Sequence, residues 1–103
     1  MEIASKRINF DDGSWWEILE EMPFGVSRRM ARVVSSYSKP VEAAFETNVT
    51  MLVFCTTKWS FSAEVSEEEL EKLPRRLVRR VLDEMNELYK HRTSEEEEEL
   101  KKD

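Results

Sequence analysis

The hydrophobic and polar positions at the start of the chain alternate as paired β-strands require. The segments ASKRINF and SWWEIL flank DDG, and Gly13 can adopt the left-handed backbone of a tight turn. A three-residue loop with a bulge at Gly13 pairs Ile8 with Trp16, whereas a two-residue loop pairs Ile8 with Glu17. Because the first register groups apolar side chains, we predict a β-hairpin in that register.

The next segment has the period of a buried helical face. Its apolar positions follow the i, i+4, i+7, i+8, i+11 spacing, at Val26, Met30, Val33, Val34 and Tyr37. This pattern predicts a first helix over residues 27–36 with Ser27 as its N-cap. The sequence SKP ends that helix, and Pro40 is suited to the first turn of the next one.

Residues 41–58 fit both a helix and a strand. Five apolar positions lie on one helical face, namely Val41, Ala44, Phe45, Leu52 and Trp59. The sequence VTMLVFCTT, in contrast, has strand propensity. Two consecutive alanines and the distance from Pro40 favour one long helix that ends near Lys58, and a strand stays open as the alternative.

Residues 66–89 carry the clearest helical signals. Ser66 and Glu69 have the S-x-x-E spacing of a capping box, in which the hydroxyl accepts from the amide of Glu69 and the carboxylate reaches back to the amide of Ser66. Glutamates fill the first turn, where the helix dipole favours anions. Pro74 then divides this short helix from a long last helix.

The last helix has one apolar stripe and a charged opposite face. The stripe consists of Leu70, Leu73, Leu77, Val81, Leu82, Met85, Leu88 and Tyr89. The outer face carries Arg75, Arg76, Arg79, Arg80, Asp83, Glu84 and Glu87. The i, i+4 spacing predicts the ion pairs Arg79–Asp83 and Arg80–Glu84.

Together these patterns predict a mainly α fold, with an N-terminal β-hairpin followed by three to four helices in one small domain over residues 1–92. A chain of 103 residues suffices for a single modest core. Residues 93–103 hold six acids and two lysines, and thus −4 of the net charge of −6. Five consecutive glutamates repel one another, so we predict a mobile acidic tail that either steers a basic partner segment or only adds solubility.

Few residues offer chemistry. Cys55 is the only cysteine, which excludes an internal disulfide and fits a reducing cytoplasm. His91 is the only histidine, and its position between two basic residues at the end of the apolar stripe predicts a solvated side chain. The two glycines cannot form a phosphate-binding loop, and no apolar run reaches the ~18 residues of a membrane span. We therefore expect no enzymatic activity, no cofactor, no bound metal and no membrane association.

Two groups of arginines are candidates for partner binding. They are Arg28, Arg29 and Arg32 on the first helix, and Arg75, Arg76, Arg79 and Arg80 on the last. If both groups faced one way, they could form a basic surface for nucleic acid. Acids interleave with the second group and the chain is net acidic, so solvated helix faces are the favoured interpretation and nucleic acid is a disfavoured partner.

The three tryptophans divide between core and surface. Trp16 and Trp59 are predicted core residues. Trp15 falls on the opposite face of its strand, where it forms a candidate contact patch with Leu19.

Three sequence motifs follow one another over about residues 8–90. They are DGSW in the hairpin, KWSF at the end of the long helix, and SEEELEKLP before the last helix. Their order resembles that in the small tail assembly chaperones of long-tailed, siphovirus-type bacteriophages. Proteins of that family carry a D-G-x-W-type strand, a W-S-F-type helix end and an acidic L-x-x-L-P segment.

The resemblance implies a non-catalytic protein that binds the tape measure protein and brings tail-tube subunits to it. Such a protein acts in the host cytoplasm and is not part of the mature virion. The family supplies no catalytic residues, and self-association of the chain stays open. The alternative that the residues themselves suggest is a small regulatory or adaptor protein that binds nucleic acid through its arginine clusters.

Overall fold

The computed structural model describes the backbone of residues 2–101 and the side chains of residues 2–89. Within this range the elements are β1 Ser5–Asn9, β2 Trp15–Leu19, α1 Phe24–Ser36, α2 Pro40–Cys55, β3 Thr56–Trp59, α3 Glu67–Glu71 and α4 Arg75–Lys101. The strands form one antiparallel sheet in the order β1-β2-β3. The fold therefore combines α and β structure, and the predicted mainly α class is corrected by the third strand.

The β-hairpin has the predicted register. Ile8 is opposite Trp16, and Lys6 is opposite Ile18. Gly13 has a φ of 90°, the positive value that its place in the loop requires. The local alternation of side chains was thus sufficient to place both strands.

A carboxylate closes the loop of this hairpin. Asp12 Oδ1 accepts hydrogen bonds from the amide nitrogen of Ser14, at 2.9 Å, and from the Ser14 hydroxyl. These bonds to Ser14 lower the pKa of Asp12, because they stabilise its charged form.

The predicted long helix to Lys58 is wrong in its last turn, because Thr56–Trp59 forms β3. Trp59 is opposite Trp16 in the sheet, and the Thr56 hydroxyl accepts a hydrogen bond from Trp16 Nε1 at 2.8 Å. These long-range contacts with β2 end the helix, and the two threonines have the β-branched shape that strands favour. The strand alternative for VTMLVFCTT is correct only for its last two residues, Thr56 and Thr57, because residues 49–55 belong to α2.

Helix α1 begins at Phe24, before its predicted start. Pro23 occupies the N-cap position without a side-chain hydrogen bond. Its carbonyl oxygen accepts from the amides of Val26 at 3.0 Å and Ser27 at 3.4 Å. Ser27 is therefore inside the first turn and is not the N-cap. Pro23 has the extended backbone of an N-cap, with φ −62° and ψ 147°, but its side chain offers no acceptor for the free amides of the first turn.

The apolar stripes predicted for the first two helices are buried only in part. Val26 and Leu52 are buried. Five other predicted positions are exposed, namely Val34, Tyr37, Val41, Ala44 and Phe45. The core residues of these helices lie near the start of α1 and the end of α2, so the apolar positions between them contribute little to the core.

The core lies between the sheet, these inner helix ends and α4. Trp16, Trp59 and Phe61 form its aromatic part, with edge-to-face rings whose centroids are 5.1 to 6.3 Å apart. The predicted core positions of Trp16 and Trp59 are thus confirmed. The stripe of α4 is confirmed as well, since Leu77, Val81, Met85 and Tyr89 are buried at successive turns.

Pro74 separates α3 from α4 as predicted. The Ser66 hydroxyl accepts from the amide of Glu69 at 3.2 Å, which confirms the predicted cap. The Glu69 carboxylate accepts from Lys72 Nζ at 2.9 Å and does not return to the amide of Ser66. The capping box is therefore half formed.

One of the two ion pairs predicted on α4 is present. Arg79 lies 3.8 Å from Asp83. The prediction for Arg80 and Glu84 is wrong, because Glu84 pairs instead with Lys6 at 2.9 Å. Strand β1 lies beside α4 and supplies a cation that the helix pattern alone could not reveal.

Helix α4 extends to Lys101 and so includes most of the predicted acidic segment. Side chains beyond Tyr89 lie outside the described residues. The domain boundary at residue 92, the mobile tail over residues 93–103 and the solvated His91 therefore stay predictions. In the described part of the chain, no helix is long and apolar enough to cross a membrane.

Candidate partner-binding site

The titratable core residues are packed as structural groups. Cys55 is buried, and burial raises the pKa of its thiol. Beside it, the Tyr89 hydroxyl donates to the carbonyl oxygen of Leu19 at 2.7 Å, and burial raises the pKa of this phenol as well. Both groups stay protonated at neutral pH. Among the described residues, no three histidine, cysteine, aspartate or glutamate side chains converge as metal ligands.

The predicted patch of Trp15 and Leu19 lies on the outer face of the sheet, where both side chains are half-buried. The Arg7 guanidinium lies 3.9 Å from the centroid of the Trp15 ring. Arg7 also pairs with Glu17 at 2.7 Å. A stacked guanidinium and an ion pair thus cover part of this face, although Trp15 also borders an open depression of about 500 Å³.

The first arginine group, on α1, is exposed. The Arg29 guanidinium lies 4.3 Å from the ring centroid of Phe54 on α2, and so connects the two helices. Arg28 and Arg32 are exposed on the same helix at i, i+4 spacing. These two arginines are therefore available to a partner at little structural cost.

The second arginine group is divided between two sides of α4. Arg76 and Arg80 border a depression of about 270 Å³ next to the end of β1, where Arg80 donates to the carbonyl oxygen of Asn9 at 3.1 Å. Arg75 and Arg79 border a different depression, on the side of α2. Because residues four apart share a helix face and adjacent residues do not, these four arginines do not form one surface.

We call the depression beside Arg75 and Arg79 the α2–α4 groove. It has a volume of about 290 Å³. It is lined by Phe45, Asn48, Val49 and Leu52 from α2 and by Arg75, Val78, Arg79 and Leu82 from α4. Phe45 is 68% exposed although it lines the groove, so a large apolar side chain stands in solvent at this site.

Large apolar side chains are exposed along α1, α2 and their connection. In the described chain these are Phe24, Val34, Tyr37, Val41, Phe45 and Phe54. The greatest exposures are 78% for Phe24, 69% for Val41 and 68% for Phe45. The sequence prediction missed this surface because it assigned most of these residues to buried stripes. An apolar period predicts a covered face, but it does not say whether this chain or a partner covers it.

The predicted site residues therefore differ in how accessible they are to a partner. Trp15 and Leu19 are half-buried, whereas Arg75 and Arg79 are exposed beside apolar side chains. Comparison of the chain with protein-family models, curated proteins and solved structures gives no significant match. The functional interpretation thus depends on the residues and surfaces themselves.

Proposed function

We propose that this protein is a non-catalytic tail assembly chaperone of a long-tailed phage, which binds the tape measure protein and helps to recruit tail-tube subunits. The order of DGSW, KWSF and SEEELEKLP, which resembles that family, supports the proposal. In this role the protein acts in the host cytoplasm and is not part of the mature virion.

The observation that carries the proposal is the exposed apolar surface of α1 and α2. Phe24, Val41 and Phe45 present most of their side chains to solvent. In the described chain six large apolar side chains are exposed on these two helices and their connection, and large exposed apolar patches mark interaction sites. Covering such side chains in a complex contributes about 25 cal/mol for each Å² of apolar area removed from water. A chaperone that holds a long helical protein in solution needs a surface of this kind.

The exposed arginines give the surface a second property. Arg75 and Arg79 on α4 place positive charge beside the apolar side chains of the groove, and Arg28 and Arg32 add exposed positive charge on α1. Such charges attract acidic segments over a distance and raise the association rate more than the affinity. The combination favours a protein partner with both apolar and acidic residues.

The alternative, a regulatory or adaptor protein that binds nucleic acid, has less support. The second arginine group is divided over two sides of α4. Arg80 and Arg29 are engaged with the Asn9 carbonyl and the Phe54 ring. A net charge of −6 also opposes binding to phosphates, since that affinity depends on clustered cations.

Co-expression tests the proposal. In the phage genome we expect a tail-tube gene upstream of this gene and a gene for a very long helical protein downstream. The downstream product is expected to co-purify with this chain. The double substitution Val41→Ser and Phe45→Ser should weaken the complex without changing the melting temperature. A chain that leaves that protein behind, and instead binds a DNA or RNA column in a salt-dependent manner, would support the alternative.

A further inference from the structure

We infer that the α2–α4 groove receives an amphipathic helix that carries acidic residues beside its apolar stripe. The inference rests on the proposed function in one respect, because a long helical partner supplies such a segment. The geometry and the charge of the groove then specify which kind of segment fits.

The groove offers apolar contact along about two helical turns. Phe45, Val49 and Leu52 occupy positions i, i+4 and i+7 of α2, and at 1.5 Å per residue they span about 10 Å. Leu52 is buried at the inner side of the groove, so Phe45 and Val49 offer most of the contact from this helix. Val78 and Leu82 face them from α4. At about 290 Å³ the groove accepts the side chains of a third helix and not its backbone. A partner helix with apolar residues at i, i+3 or i+4, and i+7 matches this length.

The walls of the groove favour a helix over an extended segment. Both walls are helices, whose backbone N–H and C=O groups are bonded within each helix. An extended segment would bring unpaired backbone groups against these walls, and burying them is unfavourable. A helical partner arrives with those groups already bonded. The edge strands β1 and β3, which could pair with an extended segment, do not line the groove.

The charge of the groove favours acidic flanking residues. Arg75 and Arg79 border it, and the first turn of α4 contains no acid. Helix α3 differs, because Glu67–Glu69 fill its first turn. The positive end of the α4 dipole therefore adds to the arginine charges instead of being neutralised. Arg79 lies 3.8 Å from Asp83, and both side chains are more than two thirds exposed, so this weak pair leaves Arg79 available to a partner.

Three synthetic helical peptides of about 18 residues, roughly five turns, test the inference. They share one leucine stripe and differ only in its flanking residues, which are glutamate, glutamine or lysine. Fluorescence anisotropy with the full chain measures each Kd. The glutamate peptide should bind about fivefold more tightly than the glutamine peptide, the lysine peptide should bind most weakly, and the difference should shrink at high salt. Equal binding of the three peptides, or no binding of the glutamate peptide, would overturn the inference.

A matched pair of phenylalanine variants assigns the binding to the groove. Phe45→Ala should weaken the glutamate peptide about tenfold, because a large apolar contact is lost. Phe24→Ala removes a phenylalanine of similar exposure that belongs to the wider apolar surface but does not line the groove. It should leave the binding of this peptide unchanged. Both side chains are exposed, so neither variant should fail to fold. An equal loss in both variants would place the binding elsewhere and contradict the inference.

A matched pair of charge variants tests the acidic preference. Arg75→Glu with Arg79→Gln should remove the preference for the glutamate peptide. Arg28→Glu with Arg32→Gln makes the same charge change at the same spacing on α1, outside the groove lining, and should retain the peptide preference. A glutamate in the first turn of α4 is favourable for that helix, so loss of the preference would not reflect unfolding. Retention of the preference in the first variant would show that the groove arginines do not contact the acids.

The peptide assay and the co-expression experiment distinguish a failure of the groove inference from a failure of the proposed function. If the peptide binds as expected but the long helical protein does not co-purify, the proposed function is wrong and the groove inference holds. If that protein co-purifies equally well with the Phe45→Ala chain and with the chain carrying the Arg75 and Arg79 substitutions, the groove inference is wrong and the proposed function holds.

Discussion

The exposure of large apolar side chains differs between two parts of this small domain. One part is the sheet with α4, and the other is the pair of helices α1 and α2. In the first part Trp16, Val81 and Met85 are completely buried. In the second part Phe24 and Phe45 are largely exposed, and α2 packs on α1 without covering them. The large apolar side chains of the sheet and α4 thus form the core, whereas several of those on α1 and α2 are exposed at the surface.

The N-terminal ends of the helices also differ, in whether a side chain caps them. Helix α3 begins with a serine whose side chain accepts from the amide of Glu69. The N-cap residues of α1 and α2 are Pro23 and Lys39, and neither makes a side-chain cap hydrogen bond. Uncapped helix ends and exposed apolar side chains both reduce the stability of the free chain. Their occurrence in one part of the molecule agrees with a surface that a partner completes.

The largest expected difference lies between two adjacent tryptophans. Trp16→Ala should destabilise the fold by about 3–5 kcal/mol, because it removes a completely buried ring and its hydrogen bond to Thr56. Trp15→Ala removes a half-buried ring stacked on Arg7 and should cost only about 1 kcal/mol. Urea denaturation followed by circular dichroism measures both. Similar midpoints for the two variants would mean that the sheet does not bury its faces as described.

The local signals in the sequence predicted the elements of the sheet and α4 with few errors. Alternation around Gly13 predicted the hairpin register, and the apolar period predicted the buried face of α4. Strand β3 was missed because its conformation depends on pairing with β2 across about forty residues of chain. Residues 49–57 have strand propensity but are helical up to Cys55, and the pairing with β2 makes only Thr56–Trp59 a strand.

The candidate site was less accessible to sequence reasoning. The exposure of the arginines and the i, i+4 relation of Arg75 and Arg79 follow from the helical period alone. The groove itself requires Phe45 of α2 to lie beside Val78 of α4, and no local pattern encodes the placement of two helices relative to each other. For the same reason the period could not distinguish a face covered by this chain from a face left open, as at Val41.

A smaller effect is expected at the contact between Tyr89 and Leu19. Tyr89→Phe should destabilise the chain by about 1–2 kcal/mol at neutral pH, because it removes a buried hydrogen-bond donor and leaves the Leu19 carbonyl without that partner. Val53→Ala, at a half-buried position of α2 outside this contact, serves as a packing control. A Tyr89→Phe chain as stable as the parent would show that the hydroxyl contributes nothing beyond packing.

The same region makes stability sensitive to alkaline pH. Burial raises the pKa of Cys55 and of Tyr89 in the folded chain, so at alkaline pH the folded state binds more protons than the unfolded state. The free energy of unfolding should therefore be insensitive to these two groups well below about pH 8.5, the pKa of an unfolded thiol, and should fall as the pH rises through that value. In Tyr89→Phe the fall above about pH 10 should be less steep. Urea midpoints that decline in parallel for the two chains would contradict this assignment.

Helix caps offer an opposite pair of effects of about 1 kcal/mol each. Ser66→Ala should destabilise the chain by that amount, because it removes the acceptor for the amide of Glu69. Lys39→Ser should stabilise it, since Lys39 has the extended backbone of an N-cap and Glu42 stands three residues on, which completes an S-x-x-E sequence. Melting temperatures measure both changes. No gain from Lys39→Ser would mean that the start of α2 is not limited by its missing cap.

The smallest effect on stability is expected on the exposed face of α2. The double substitution Val41→Ser and Phe45→Ser should change the free energy of unfolding by less than about 0.5 kcal/mol, because both side chains are already more than two thirds exposed, at 69% and 68%. Serine has nearly the same helix propensity as valine and phenylalanine, so the comparison reports burial and not backbone preference. Val81→Ser, at a completely buried position of α4, is the matched control and should cost several kcal/mol. Sedimentation at high protein concentration should meanwhile show less self-association for the double variant, since its apolar surface is smaller. A large loss of stability in the double variant would instead show that α2 packs this face against the rest of the chain in solution, and the difference between the two parts of the molecule would disappear.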